Sequence, residues 1–66
     1  MIFSEFTKLE INRLIENCNF TDSELQFFLF RCKGRTLAEI ADEMKISEST
    51  ADRLCKKVKS KISRVV

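Results

Sequence analysis

Thr36-Leu37-Ala38-Glu39-Ile40-Ala41-Asp42-Glu43-Met44-Lys45-Ile46-Ser47-Glu48-Ser49-Thr50-Ala51 is the stretch that decides the fold. Its first four residues form a capping box: the Thr36 hydroxyl can accept from the Glu39 N–H while the Glu39 carboxylate accepts from the Thr36 N–H. A helix therefore starts at Leu37. Leu37, Ile40, Ala41 and Met44 recur at i, i+3, i+4, i+7, one face of a helix about two turns long. Lys45-Ile46-Ser47 is left as a turn, and Ser47 caps the next helix.

That next helix runs to about residue 64 and has two unlike sides. At about 100° per residue, Ala51, Leu54, Cys55, Val58, Ile62 and Val65 share one side, and Ser49, Arg53, Lys56, Ser60 and Arg64 share the other, with Lys57 at its border. Ala41 and Ala51 are small where the two helices would cross closely, and Ile46 can plug the turn into the core.

Upstream, Phe20-Thr21-Asp22-Ser23-Glu24-Leu25 repeats the capping-box pattern, with Phe20 and Leu25 as a hydrophobic staple. A helix from Asp22 should stop at Gly34, which takes a left-handed C-cap without steric cost. Ile2 to Cys18 has no Gly or Pro, and places Ile11, Leu14, Ile15 and Cys18 at helical spacing, with Phe3, Phe6 and Leu9 as a second apolar patch. A further helix is expected from about Ser4 to Asn17, with Asn17-Cys18-Asn19 as the turn. The fold class expected is all-α: one domain over 1–66, a small four-helix domain with helices near 3–17, 22–33, 37–44 and 48–64 and containing a helix-turn-helix. Residues 1–19 form an accessory helix and 20–64 the core.

Leu25, Phe28, Leu29 and Cys32 are expected to form the inner face of the second helix. Phe27 and Phe30 cannot share it. They either pack under the N-terminal helix, the ordinary use of large side chains in so small a domain, or mark a subunit interface. A homodimer through the N-terminal helix or through Phe27 and Phe30 is the corresponding expectation.

The 66 residues carry a net charge of +2, unevenly spread. Residues 1–33 hold four basic and five acidic side chains, and residues 34–66 hold eight and five; from Arg53 to Arg64 there are six cations and no acid. Such asymmetry suits a polyanionic partner. Three cysteines at spacings of 14 and 23, with no histidine, indicate neither a disulfide framework nor a zinc site. Reduced thiols, no signal peptide and no apolar run of membrane length lead to a cytoplasmic expectation without membrane association. With no histidine, no Gly-rich phosphate loop and no cysteine in an activating context, no enzyme, catalytic residue, cofactor or metal is expected.

Short helix, tight turn and long helix with a cationic outer side is the layout of a helix-turn-helix, in which the second helix enters the major groove of DNA. Residues 36–51 resemble the "S-x-x-E-I-A-x-x-L-x-I-S-x-x-T-V" pattern of LuxR/GerE-type regulators and of region 4 of sigma-70-like factors. Residues 20–25 resemble the "L-T-x-R-E-x" that opens their first helix. The resemblance covers about residues 20–62. It implies a transcription regulator that binds double-stranded DNA, with Thr36 and Thr50 on phosphates and Ser49, Arg53, Lys56 and Lys57 facing the groove or its walls. Residue chemistry points the same way, because helix N-termini and hydroxyls suit phosphate oxygens and arginine can bond a guanine edge. The candidate DNA-binding set is Thr36, Ser47, Ser49, Thr50, Arg53, Lys56, Lys57 and Ser60, with Thr36 and Ser47 also acting as caps. Lys59 and Lys61 are expected to face solvent.

Asp52 stands where the family pattern commonly has a basic residue, and it would repel phosphates unless it pairs with Lys56 at i+4 or accepts from a cytosine amino group. The sequence stops at Val65-Val66, where many LuxR-type domains carry a dimerisation helix, and it has an N-terminal helix instead. This tilts the comparison toward the sigma region 4 arrangement or toward a free-standing regulator that dimerises differently. The competing expectation is a protein-interaction module that docks on RNA polymerase or another regulator.

Overall fold

The computed structural model describes residues 3–65, so the ends of the expected domain, Met1, Ile2 and Val66, lie outside the described residues. The chain is all-helical: a 3₁₀ turn at Phe3–Glu5, then α1 (Lys8–Cys18), α2 (Asp22–Cys32), α3 (Leu37–Met44) and α4 (Glu48–Val65). Among the described residues no helix is long and apolar enough to cross a membrane.

The expected N-terminal helix is corrected at its start. Residues 3–7 do not continue it, because Thr7 caps α1: its hydroxyl accepts from Glu10 N–H at 3.2 Å, and Glu10 Oε1 accepts from Thr7 N–H at 2.9 Å. An N-cap needs extended backbone, which Thr7 has at φ −74°, ψ 163°, so the helix cannot run through it. The two other boxes close as expected, at Thr21 with Glu24 and Thr36 with Glu39.

Helix ends follow the backbone's need to satisfy its last carbonyls. After α2, Gly34 takes φ +84° while Arg35 N–H donates to Phe30 O and Gly34 N–H to Arg31 O. After α3 the same pattern is made by Lys45 at φ +57°, with Ile46 N–H donating to Ala41 O at 2.9 Å and Lys45 N–H to Asp42 O at 3.2 Å. A lysine in this left-handed region costs about 1–2 kcal/mol. Half-buried Ile46 packs on the core immediately after it, offsetting that cost.

α4 is the spine, packed against α1, α2 and α3. Ala51, Cys55, Val58 and Ile62 of its expected inner stripe are buried and Leu54 is half-buried; Val65 departs from the stripe and is 42% exposed.

The expected inner face of α2 is also corrected. Phe27 and Phe28 are both fully buried, with Glu24 beside them, whereas Leu29 is 38% exposed and Leu25 and Cys32 are half-buried. Phe28 is the hub of an aromatic cluster. Phe3 meets it edge to face at 6.0 Å, and Phe6 and Phe20 lie at 6.2 and 5.2 Å. The 3₁₀ turn, rather than a helix, brings Phe3 there. Phe27, enclosed within one chain, leaves no surface for a second subunit, and half-buried Phe30 packs against the same core.

Lys61 is corrected as well. Instead of facing solvent, its ammonium reaches across to the Glu24 carboxylate and donates to Asn19 O at 3.1 Å. Burial pushes the Glu24 carboxyl up, but the Lys61 ammonium and the Thr21 N–H and hydroxyl outweigh it and hold its pKa below the usual carboxylate value.

All three cysteines are free thiols. Cys18 and Cys55 are buried and Cys32 is half-buried. Burial raises the Cys18 pKa, against a smaller opposing effect of Lys61, and pushes that of Cys32 up to about 11. Since the thiolate is the nucleophile, alkylation at pH 8 should be slow at Cys18 and Cys32 in the folded protein, and at buried Cys55 it should be slow for lack of access. At Cys32 the reduced thiolate fraction alone should slow it about a hundredfold relative to a free cysteine. Mass spectrometry of a timed alkylation, with and without denaturant, checks this; rapid labelling of Cys55 in the native state would contradict its inward placement.

Candidate nucleic-acid interface

The candidate surface is the side of α4 that turns away from the core. Ser49, Arg53, Lys56, Lys57 and Ser60 are all exposed, as are Lys59 and Arg64. Their spacing along α4 groups Ser49, Arg53, Lys56, Lys57, Ser60 and Arg64 into one band, backed by the buried Ala51, Cys55, Val58 and Ile62. Apolar packing thus fixes the helix's rotation, and rotation fixes which cations face outward.

Asp52 is half-buried and pairs with Lys56 at 3.2 Å, the i+4 partner it needs. The pair neutralises the one carboxylate inside the band. Among the described residues, no carboxylate lies within salt-bridge distance of Arg53, Lys57, Lys59 or Arg64.

At the start of α4, Ser47 Oγ accepts from Thr50 N–H at 3.1 Å and lies 2.9 Å from Thr50 Oγ1. Ser47 is therefore a cap first. If its hydroxyl donates to Thr50 Oγ1, the Thr50 proton is left for an outside acceptor such as a phosphate oxygen. Thr36 is likewise a cap: its Oγ1 accepts from Glu39 N–H and its own N–H is taken by Glu39 Oε1 at 2.9 Å. The Glu39 carboxylate alongside, held below its usual pKa chiefly by hydrogen bonds from the Thr36 N–H and hydroxyl, would repel a phosphate at that point. Thr36 is thus the weakest member of the set, and Arg53 and Lys57 the strongest.

Lys45 and Lys61 escaped the sequence reading in instructive ways. Lys61 lies three residues after Val58, at the edge of the buried stripe, and that spacing was the available signal. Nothing in the lysine itself announces the left-handed backbone of Lys45; only the demand for a three-residue turn does.

Among the described residues, no three acidic, cysteine or histidine side chains converge as a cation site. No family model, no curated protein and no solved structure matches the chain, so its likeness to the LuxR/GerE and sigma region 4 pattern rests on the residues quoted above.

Proposed function

We propose that the chain is a transcription-regulating module that binds double-stranded DNA by a helix-turn-helix, with α3 bracing and α4 in the major groove. The observation that carries this reading is the outer band of α4, where exposed Arg53, Lys57 and Arg64 stand, among the described residues, without carboxylate partners, backed by an apolar inner stripe. A helix fits the major groove of B-DNA, and residues near its N-terminal end reach base edges. Arg53 sits there, one turn past Ser49. Lys57, a further turn along, falls toward the groove wall and its phosphates.

The two positions should separate base reading from backbone attraction. Arg53→Ala is expected to cost about 1–3 kcal/mol of binding and to relax sequence preference. Lys57→Ala should weaken specific and mixed-sequence duplexes alike and lower the slope of log affinity against log salt by about one unit. Both side chains are exposed, so melting temperatures should correspond to changes within about half a kcal/mol. Fluorescence anisotropy with a duplex pool over a salt series checks this. If both variants bind as the parent does, the band serves a protein partner such as RNA polymerase, or only solvent.

A further inference from the structure

α2 carries apolar side chains on two sides, and only those of one side pack into the core. Its inner side holds Glu24, Phe27, Phe28 and the partly buried Arg31, against α4 and the 3₁₀ turn. At about 100° per residue, the opposite side carries Asp22, Leu25, Gln26, Leu29 and Lys33. Leu29 is 38% exposed, Leu25 is half-buried and absent from the residues packed on the core, and Asp22, Gln26 and Lys33 are exposed. The face therefore has an apolar centre with an acid at its N-terminal end and a base at its C-terminal end.

We infer that this face is the contact between two copies of the chain, paired antiparallel through α2 about a twofold axis that crosses the face between Gln26 and Leu29. The charge order argues for it. In a twofold contact each residue meets what its own position meets on the partner, so an antiparallel pair sets Asp22 against the partner's Lys33 at both ends. Leu25 then comes within reach of the partner's Leu29. A parallel pair would set Asp22 against Asp22 and Lys33 against Lys33, which repels twice. The 11 residues of α2 span about 16 Å, so the contact is smaller than a standard interface of about 800 Å² per partner and the dimer is weak. It leaves the outer band of α4 uncovered, and therefore stands or falls independently of the DNA reading.

Sedimentation equilibrium of the full chain without DNA, from about 10 µM to about 1 mM, tests the proposal. The expected mass rises from 7.7 kDa toward twice that value. Leu25→Gln with Leu29→Gln should raise the dissociation constant at least about tenfold, and exposed Leu29→Gln alone should weaken the dimer without lowering the melting temperature of the dilute monomer. Asp22→Lys and Lys33→Asp should each stay monomeric alone, while an equimolar mixture of the two variants should associate, because both end contacts are then attractive. The double variant in one chain should self-associate again. A monomer at every concentration would overturn the proposal and leave the face to another protein or to solvent. A dimer indifferent to the leucines and to the charge exchange would overturn it in favour of a different contact.

Discussion

Ala51→Glu is expected to leave the chain largely unfolded at 25 °C. Ala51 has no exposed surface and lies on the α4 stripe that the other helices pack against. Its methyl fills the contact; a glutamate adds four heavy atoms and a charge. Overpacking alone costs about 1–3 kcal/mol, and an unpaired buried carboxylate costs several more. A domain of this length has about 3–10 kcal/mol to lose. Ala51→Ser, nearly isosteric, should cost about 1–2 kcal/mol and so separates the charge from the volume. Circular dichroism melts decide the matter: a parent-like melt for the glutamate variant would mean that α3 and α4 do not meet as described.

The second large effect is expected at the buried ion pair. Lys61→Ala leaves the Glu24 carboxylate, 4% exposed, without its ammonium, and should cost about 2–4 kcal/mol at pH 7. Its pH dependence identifies the cause. In the parent, Glu24 has a lowered folded pKa, so its contribution is present above the ordinary carboxylate pKa of about 4.3 and is lost as pH falls through the folded value. Without Lys61, burial dominates and raises the folded pKa, so the contribution reverses: it is favourable below about pH 4 and lost as pH rises. The gap between parent and variant should therefore be widest near neutrality and shrink below pH 4. Urea melts from pH 3 to 7 check this. A gap constant with pH would assign the loss to the truncated lysine stem alone. Glu24→Gln should cost less, since Lys61 retains 27% exposure and can turn to water.

The helix starts of α2, α3 and α4 were legible because their signals are local: Thr21 with Glu24, Thr36 with Glu39, and Ser47 before a periodic run. The start of α1 carried the same signal in Thr7 and Glu10, but the lack of Gly or Pro from Ile2 to Cys18 and the helical spacing of its apolar residues obscured it. The rotation of α2 was not legible in principle. Leu25, Phe28, Leu29 and Cys32 satisfy helical periodicity as well as Glu24, Phe27, Phe28 and Arg31 do, and only the enclosure of Phe27 in the core and the arrival of Lys61 on Glu24 choose between them. Hydrophobic pattern ranks leucine above glutamate for burial, and here a tertiary ion pair reverses that order. The outer band of α4 was readable for the opposite reason. Its side chains meet no other element, so periodicity alone fixes where they point.

The helix starts also differ in their electrostatics. In α1, α2 and α3 the third residue is Glu10, Glu24 or Glu39, and each carboxylate closes back on the cap. In α4 that position is Thr50, which closes on Ser47 through hydroxyls. Each helix carries about half a positive charge at its N-terminal pole, the sum of aligned peptide dipoles. Three of the four poles are largely cancelled from within by a carboxylate folded over them. The fourth is opposed only by Glu48, whose side chain makes no such closure, so α4 keeps more of its macrodipole field directed outward, at the end of the band where Ser49 and Arg53 stand.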